Sequence, residues 1–381
     1  MKKIGIIGFG GRIQSLVMNE FGFFPELQIV AIADADLTGA KERAEAVKSL
    51  DVQHIRFYQK GEEMLDREEL DGVFVGTRCN LHKRYAIEVL RRKLPLFLEK
   101  PVVIDLKEYH ELKEAVESYG AVGITSFPLR LTSILQKVKE FYESGVLGTL
   151  SQVQAYNNVP YGRVYYKYWY RDESLTGGLF LQKATHDLDY INYVLGMQPV
   201  EICAMESKMV YKGDKPANLK CENCPDWDTC YESTKVIREQ AHEEPYGDYC
   251  SYGADVGNHD SATILMRYAD GMHAVYTQNF VARKEAGKRG MRLIGQKATL
   301  EFDWTTDEIL LFRHNESKVE HMTVRPESGG GHGGGDYVLI RDFAAILNGD
   351  TSCSSLKEGL QSAYLCLKAK ESAEKHTFIT L

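Results

Sequence analysis

The first 34 residues constrain the fold more than any other stretch. Lys3-Ile4-Gly5-Ile6-Ile7 is a short apolar run that enters Gly8-Phe9-Gly10-Gly11-Arg12-Ile13, and Ser15 to Phe21 continues as a helix. A second apolar run, Gln28 to Ala33, ends in Asp34. Strand, glycine turn, helix and acid-terminated strand read as the opening of a dinucleotide cradle. Gly8, Gly10 and Gly11 let backbone approach a pyrophosphate, the helix start at Arg12 and Ile13 offers amides to it, and Asp34 accepts from ribose hydroxyls. A 2'-phosphate would meet the fixed charge of Asp34, so NAD is expected over NADP. Ile13 stands where a third glycine belongs and is expected to loosen the helix-on-strand packing. The plain alternative for Asp34 is a capping aspartate with no ligand.

The alternation continues. Leu70 to Gly76 reads as a buried strand, followed by Thr77-Arg78-Cys79-Asn80-Leu81-His82 and a helix from about Lys83 to Arg92. Thr77, Asn80 and His82 are candidates to hydrogen-bond the nicotinamide half of a cofactor. The run Leu94 to Phe97 leads into Leu98-Glu99-Lys100-Pro101, a lysine at the C-terminal end of a buried strand with a carboxylate beside it and a proline stopping the strand. Ligands bind at that edge of a parallel sheet, so Glu99 and Lys100 are candidates for cofactor contact and Lys100 for chemistry. With the helix Leu106 to Ser118 and the strand Ala121 to Thr125, residues 1–125 predict a right-handed, doubly wound parallel sheet, an α/β Rossmann domain. After the helix Leu131 to Ser144 the pattern changes to period two, in 151–156, 262–268, 273–277 and 292–294. Residues 126–381 are therefore expected to form an α+β catalytic and oligomerisation domain on a mostly antiparallel, open sheet.

A net charge of -8 offers no general field for nucleic acid or an acidic membrane. The start reaches Gly5 and Gly8 too soon for a secretory apolar segment, and a cytoplasmic protein is expected. Four of the eight cysteines bunch in an insertion at about 212–256. Cys221, Cys224 and Cys230, with Cys250 further on, have a spacing that a structural zinc would suit; reduced thiols and an iron-sulfur cluster are the alternatives. Tyr156, Tyr161, Tyr165, Tyr166, Tyr168, Trp169 and Tyr170 with Arg171 suit either a carbohydrate pocket or a subunit interface. The run Gly329 to Gly335, interrupted by His332 and followed by Asp336, is either a free linker or a loop over a substrate.

The glycine turn, Asp34, Glu99-Lys100-Pro101 and Thr185-His186-Asp187-Leu188-Asp189 together resemble the glucose-fructose oxidoreductase, inositol dehydrogenase and MocA family of NAD(P)-dependent sugar and polyol oxidoreductases. With an exposed face of the antiparallel sheet expected to serve as the surface of a homodimer or homotetramer, the resemblance implies a small carbohydrate or polyol substrate. It makes His186 the general acid/base and Lys100 the group that polarises the reacting oxygen or relays its proton. Arg130, Tyr156, Trp169, Gln182, Asp187 and His332 are candidate substrate contacts, Tyr156 and Trp169 from the aromatic stretch and His332 by the resemblance. Two departures stand out: Gln182 replaces the aspartate common four residues before the histidine, and Pro128 replaces an asparagine. An amide cannot take up a proton, so the relay must rest on His186 and a lysine, Lys183 or Lys100. Beside hydride transfer from a secondary hydroxyl, two alternatives follow: a redox glycosidase that uses bound NAD transiently, and a dinucleotide-binding sensor without turnover.

Overall fold

The computed structural model describes residues 1–326 and 331–381; Gly329 and Gly330 of the glycine run lie outside the described residues. The chain divides into two compact units, one made of Met1–Lys137 and Arg325–Leu365, the other of Val138–Val324 and Cys366–Leu381.

In the first unit the strands are β1 (Lys2–Ile7), β2 (Leu27–Ala33), β3 (Arg56–Tyr58), β4 (Gly72–Val75), β5 (Leu96–Leu98) and β6 (Gly123–Thr125). They are all parallel and lie in the order β3-β2-β1-β4-β5-β6. That order reverses between β1 and β4, and loops leaving the two strands there diverge to opposite faces, which opens a crevice at their carboxyl ends. The strands are continuous apolar runs because both faces are covered. One covering element comes from far along the chain. The helix Gly335–Leu347 places Leu339, Ile340, Phe343 and Leu347 in the same core as Ile4, Phe74 and Phe97. Phe343 meets Phe74 and Phe97 edge-on, at 4.9 and 5.9 Å between ring centres.

In the second unit β7 (Leu150–Asn158), β8 (Pro199–Ser207), β9 (Ser261–Tyr268), β10 (His273–Asn279), β11 (Lys288–Gly295), β12 (Ala298–Asp303), β13 (Glu308–Arg313), β14 (Val319–Thr323) and β15 (Ile379–Thr380) form one sheet. Its order is β14-β13-β12-β11-β7-β10-β9-β8-β15. All pairings are antiparallel except β7 with β10, in which Tyr156 lies opposite Thr277 and Asn157 opposite Gln278. Along β7 burial alternates, so Val153, Ala155 and Asn157 face the packed side and Gln154 and Tyr156 the other. Among the described residues no helix is long and apolar enough to cross a membrane.

Candidate active site

Gly8 follows β1 with φ of +86°, and a Cβ there would come within 2.6 Å of the Thr77 nitrogen. Only glycine allows the β1 and β4 loops to approach so closely. Gly10 caps the helix Gly11–Glu20, and Cβ atoms at Gly10 and Gly11 would meet nothing within 4 Å, so the helix start is sterically open. Ile13 does not loosen the packing as expected. It is fully buried over Gly76, where a Cβ would lie 2.2 Å from the Ile13 Cγ1, so Gly76 provides the close approach that a third glycine in the turn would otherwise give.

Asp34 sits past the end of β2. One carboxylate oxygen accepts from the Phe9 N–H at 2.8 Å and the other from the Asp36 N–H at 2.9 Å, which fixes the group beside the glycine turn. The Arg43 guanidinium lies 3.7 Å from it. Across the crevice Thr77 and Asn80 occupy the loop after β4, and the Asn80 Oδ1 is buried with no hydrogen-bond partner among the described residues. An orphaned buried amide oxygen in the loop after β4, with an open helix start after β1 and a fixed carboxylate after β2, fits a dinucleotide with a carboxamide end. His82 plays another part. Its ring is buried between Pro101 and Thr77, with Nδ1 2.7 Å from the Pro101 oxygen and Nε2 3.0 Å from the Thr77 oxygen. Burial pushes the imidazole below its ordinary pKa, and the ring, set between the two carbonyls, braces the loop after β5.

Arg12 does not face outward to phosphate. Its Nε donates to Glu99 at 3.1 Å, its two Nη groups grip Asp336 at 2.8 and 2.7 Å, and Nη2 also reaches the Ser126 hydroxyl at 3.2 Å. Burial opposes its charge, but Glu99 and Asp336 together hold its pKa above the ordinary value. Burial would raise Asp336; Arg12 and His332 instead hold it well below the usual carboxylate range. His332, in a left-handed conformation with φ of +48°, has Nδ1 2.9 Å from Asp336. Lys100 follows the buried Glu99 at the end of β5 and is half-buried; Arg130 lies in the turn Pro128–Leu131, its guanidinium over the Phe127 ring.

In the second unit a single π turn, Phe180–Ala184, runs into the helix Thr185–Leu195, which carries half-buried His186 in its first turn. Gln182 is buried and donates to the Thr176 oxygen at 3.3 Å. Asp187 is fully buried and saturated: it accepts from Asn157 at 3.0 Å, Tyr276 at 2.9 Å and the Arg289 fork at 2.8 and 2.9 Å. A carboxylate so engaged orients the helix start and has little capacity left for a substrate hydroxyl. Lys183 is buried beside Arg289, its Nζ donating to the Tyr161 hydroxyl at 2.6 Å. Tyr156 points to the opposite face of the sheet from Asn157, so it is not brought together with Asp187, and Trp169 stacks on Tyr170 at 3.9 Å between ring centres.

The zinc expected in the cysteine insertion is not supported. Among the described residues no three of His, Cys, Asp or Glu are grouped to hold a metal ion. Cys221 instead accepts from the ammonium of fully buried Lys167, 3.2 Å from its sulfur. Sequence reasoning missed Arg289, Asn157 and Tyr276 around Asp187, and the Arg12–Asp336 pair. Each joins residues 30 or more positions apart, which no local spacing reveals.

The parallel sheet with its glycine turn and acid-terminated second strand defines a nicotinamide-dinucleotide oxidoreductase of two-unit construction. Residues 2–127 match the family model described as oxidoreductase family, NAD-binding Rossmann fold, and residues 135–301 match the GFO/IDH/MocA C-terminal domain. The chain belongs to the Gfo/Idh/MocA oxidoreductase family. It is 26% identical over 386 residues to YteT of Bacillus subtilis, whose name gives no more than the oxidoreductase class, covering 90% of this chain and 88% of that one. It is 25% identical over 210 residues to a myo-inositol 2-dehydrogenase of Thermotoga maritima, covering 55% of this chain and 59% of that protein. In fold it is similar to a levoglucosan dehydrogenase solved with NADH, with TM-score 0.78 and 18% identity, covering 100% of this chain and 98% of that one.

Proposed function

We propose that the protein is an NAD-dependent dehydrogenase acting on a secondary hydroxyl of a sugar, cyclitol or glycoside. The observation that carries this reading is the placement of Asp34 and Glu99-Lys100 past the carboxyl ends of strands of one parallel sheet, Asp34 tied to the glycine turn and Glu99 to Arg12. NAD, when bound, supplies the hydride acceptor. Gly8, Gly10 and Gly11 would hold its pyrophosphate, Asp34 its adenosine ribose and Asn80 its carboxamide. The fixed negative charge of Asp34 favours NAD over NADP. His186 takes the hydroxyl proton as hydride leaves the same carbon, and Lys100 polarises the oxygen. Relatives that carry sugar and inositol dehydrogenase names support a small-molecule substrate.

The test is purified protein with NAD against sugars, inositols and aryl glycosides, following NADH absorbance and aglycone release together. NADH formation that Lys100→Ala and His186→Ala each lower by about 100-fold or more supports a dehydrogenase. Aglycone release without net NADH moves the assignment to a redox glycosidase. Bound NAD with neither signal across the panel counts against turnover.

A further inference from the structure

Lys183 is a buried amine in a place that already holds a cation, Arg289. Its Nζ lies over the rings of Tyr161 and Tyr165, 4.5 and 5.1 Å from their centres, and among the described residues its hydrogen bond is to the Tyr161 hydroxyl. Among the described residues no carboxylate forms an ion pair with it. The nearby carboxylate, Asp187, is saturated by Arg289, Asn157 and Tyr276. Burial first and the Arg289 charge second push Lys183 down to about 7, against the pull of Asp187. An apolar side chain would fill this position without that desolvation cost, so packing alone does not account for a lysine here.

Two further observations give the amine a direction. Lys183 stands three residues before His186, in the π turn that runs directly into the helix carrying the histidine. Its phenol partner reaches solvent, since Tyr161 is 49% exposed whereas Lys183 is 7% exposed. Gln182, where the amide is tied to the Thr176 oxygen, offers no titratable group of its own.

We propose that Lys183 and Tyr161 form the proton outlet of the site: the Lys183 amine takes the proton that substrate oxidation leaves on His186, and the Tyr161 phenol passes it to solvent. This rests on the dehydrogenase reading. The alcohol gives hydride to the nicotinamide and its hydroxyl proton to the imidazole. The imidazolium N–H then gives its proton to the neutral amine, and the resulting ammonium gives one to the Tyr161 oxygen as that oxygen releases its own proton to water. Imidazole, amine and phenol all end as they began, with one proton released for each NADH formed. Lys183 must be neutral to accept, so kcat is expected to fall as pH drops below about 7.

The experiment has one arm that needs no substrate. In protein labelled with 13C-lysine, Lys183 is assigned with Lys183→Met, and its titration is followed by NMR. A midpoint near 7 that moves in Tyr161→Phe supports the outlet; a midpoint near 10, or one that Tyr161→Phe leaves in place, overturns it. The second arm uses a polyol that the wild type oxidises. Lys183→Ala is expected to lower kcat about 100-fold at pH 6.5 with KM within threefold, to lose the limb near pH 7, and to recover in part with added ethylamine. Tyr161→Phe, at an exposed position, is expected to lower kcat with its fold intact and to move the limb together with the Lys183 midpoint. A Lys183→Ala enzyme that keeps both kcat and the limb overturns the proposal. If the wild type oxidises no polyol, the dehydrogenase reading is what fails, and the titration alone decides whether Lys183 exchanges protons through Tyr161.

Discussion

Arg12 in the first unit and Arg289 in the second are built alike and balanced oppositely. Each is gripped by both oxygens of one buried carboxylate, Asp336 for Arg12 and Asp187 for Arg289. Arg12 also faces Glu99, with Glu20 close by, so its surroundings hold more acid than base. Arg289 and Lys183 share the one carboxylate Asp187, so their cluster holds two bases to one acid. Each cluster relieves its surplus on the member with the weakest partner. Burial and then the charge of Asp336 push the Glu20 carboxyl up, and burial and then Arg289 push the Lys183 amine down. A bidentate ion pair in a dry site thus leaves the third titratable group to adjust.

The largest test of that contrast is to remove the two carboxylates in turn. Asp187→Asn leaves Arg289 buried with no counter-charge and is expected to cost about 3–5 kcal/mol in urea unfolding. Asp336→Asn leaves Arg12 its bond to Glu99 and is expected to cost about half as much. Equal losses would break the comparison. The Asp336 effect has a defined sign with pH: its folded pKa is depressed, so its contribution is present above the unfolded carboxylate range and lost as acid protonates it, and the variant and wild type should converge towards low pH.

Lys183→Met is expected to stabilise the protein. The folded pKa of about 7 lies below the unfolded value, so the wild type carries its full penalty below about pH 7 and sheds it as pH rises towards the unfolded lysine range near 10. The variant should gain a few kcal/mol at pH 6 and progressively less at alkaline pH, read from urea midpoints. Glu20→Gln is the mirror experiment and a smaller one. Its raised folded pKa means a penalty present at neutral pH and relieved in acid, so the gain should appear at pH 8 and vanish near pH 4. Smallest of all, His332→Ala removes one donor from Asp336 at a half-exposed position and is expected to change stability by less than about 1 kcal/mol.

The parallel sheet was legible because its strands are unbroken apolar runs and its turns carry glycine at fixed offsets; β1, β2 and β4 to β6 fall on the runs that announce them. Period-two patterns located β7, β9, β10 and β11 equally well. They did not reveal that β7 and β10 run parallel, since alternation marks which face is buried and carries no information on which strand lies alongside. Asp34, Glu99 and Lys100 could be placed at the edge of the sheet because they abut strand ends. The roles of Arg12, Asp187 and His82 could not, because a charged or imidazole side chain near a motif reads as a ligand contact until its partners are known. Those partners, Asp336, Arg289 and the Pro101 carbonyl, are distant in sequence. The cysteine spacing misled for the converse reason: proximity in sequence carries no information on what faces the sulfurs, and here Lys167 faces one of them.

The helix Gly335–Leu347 also sets the order in which a growing chain can be completed. Its apolar side chains lie in the core shared by Ile4, Phe74 and Phe97, yet about two hundred residues must be synthesised between Lys137 and this helix. Until then part of one face of a freshly made nucleotide-binding sheet stays uncovered, a surface for chaperones or for mispairing with other nascent chains. A premature stop anywhere before Gly335 would therefore injure the amino-terminal half, although the match that identifies that half ends at residue 127.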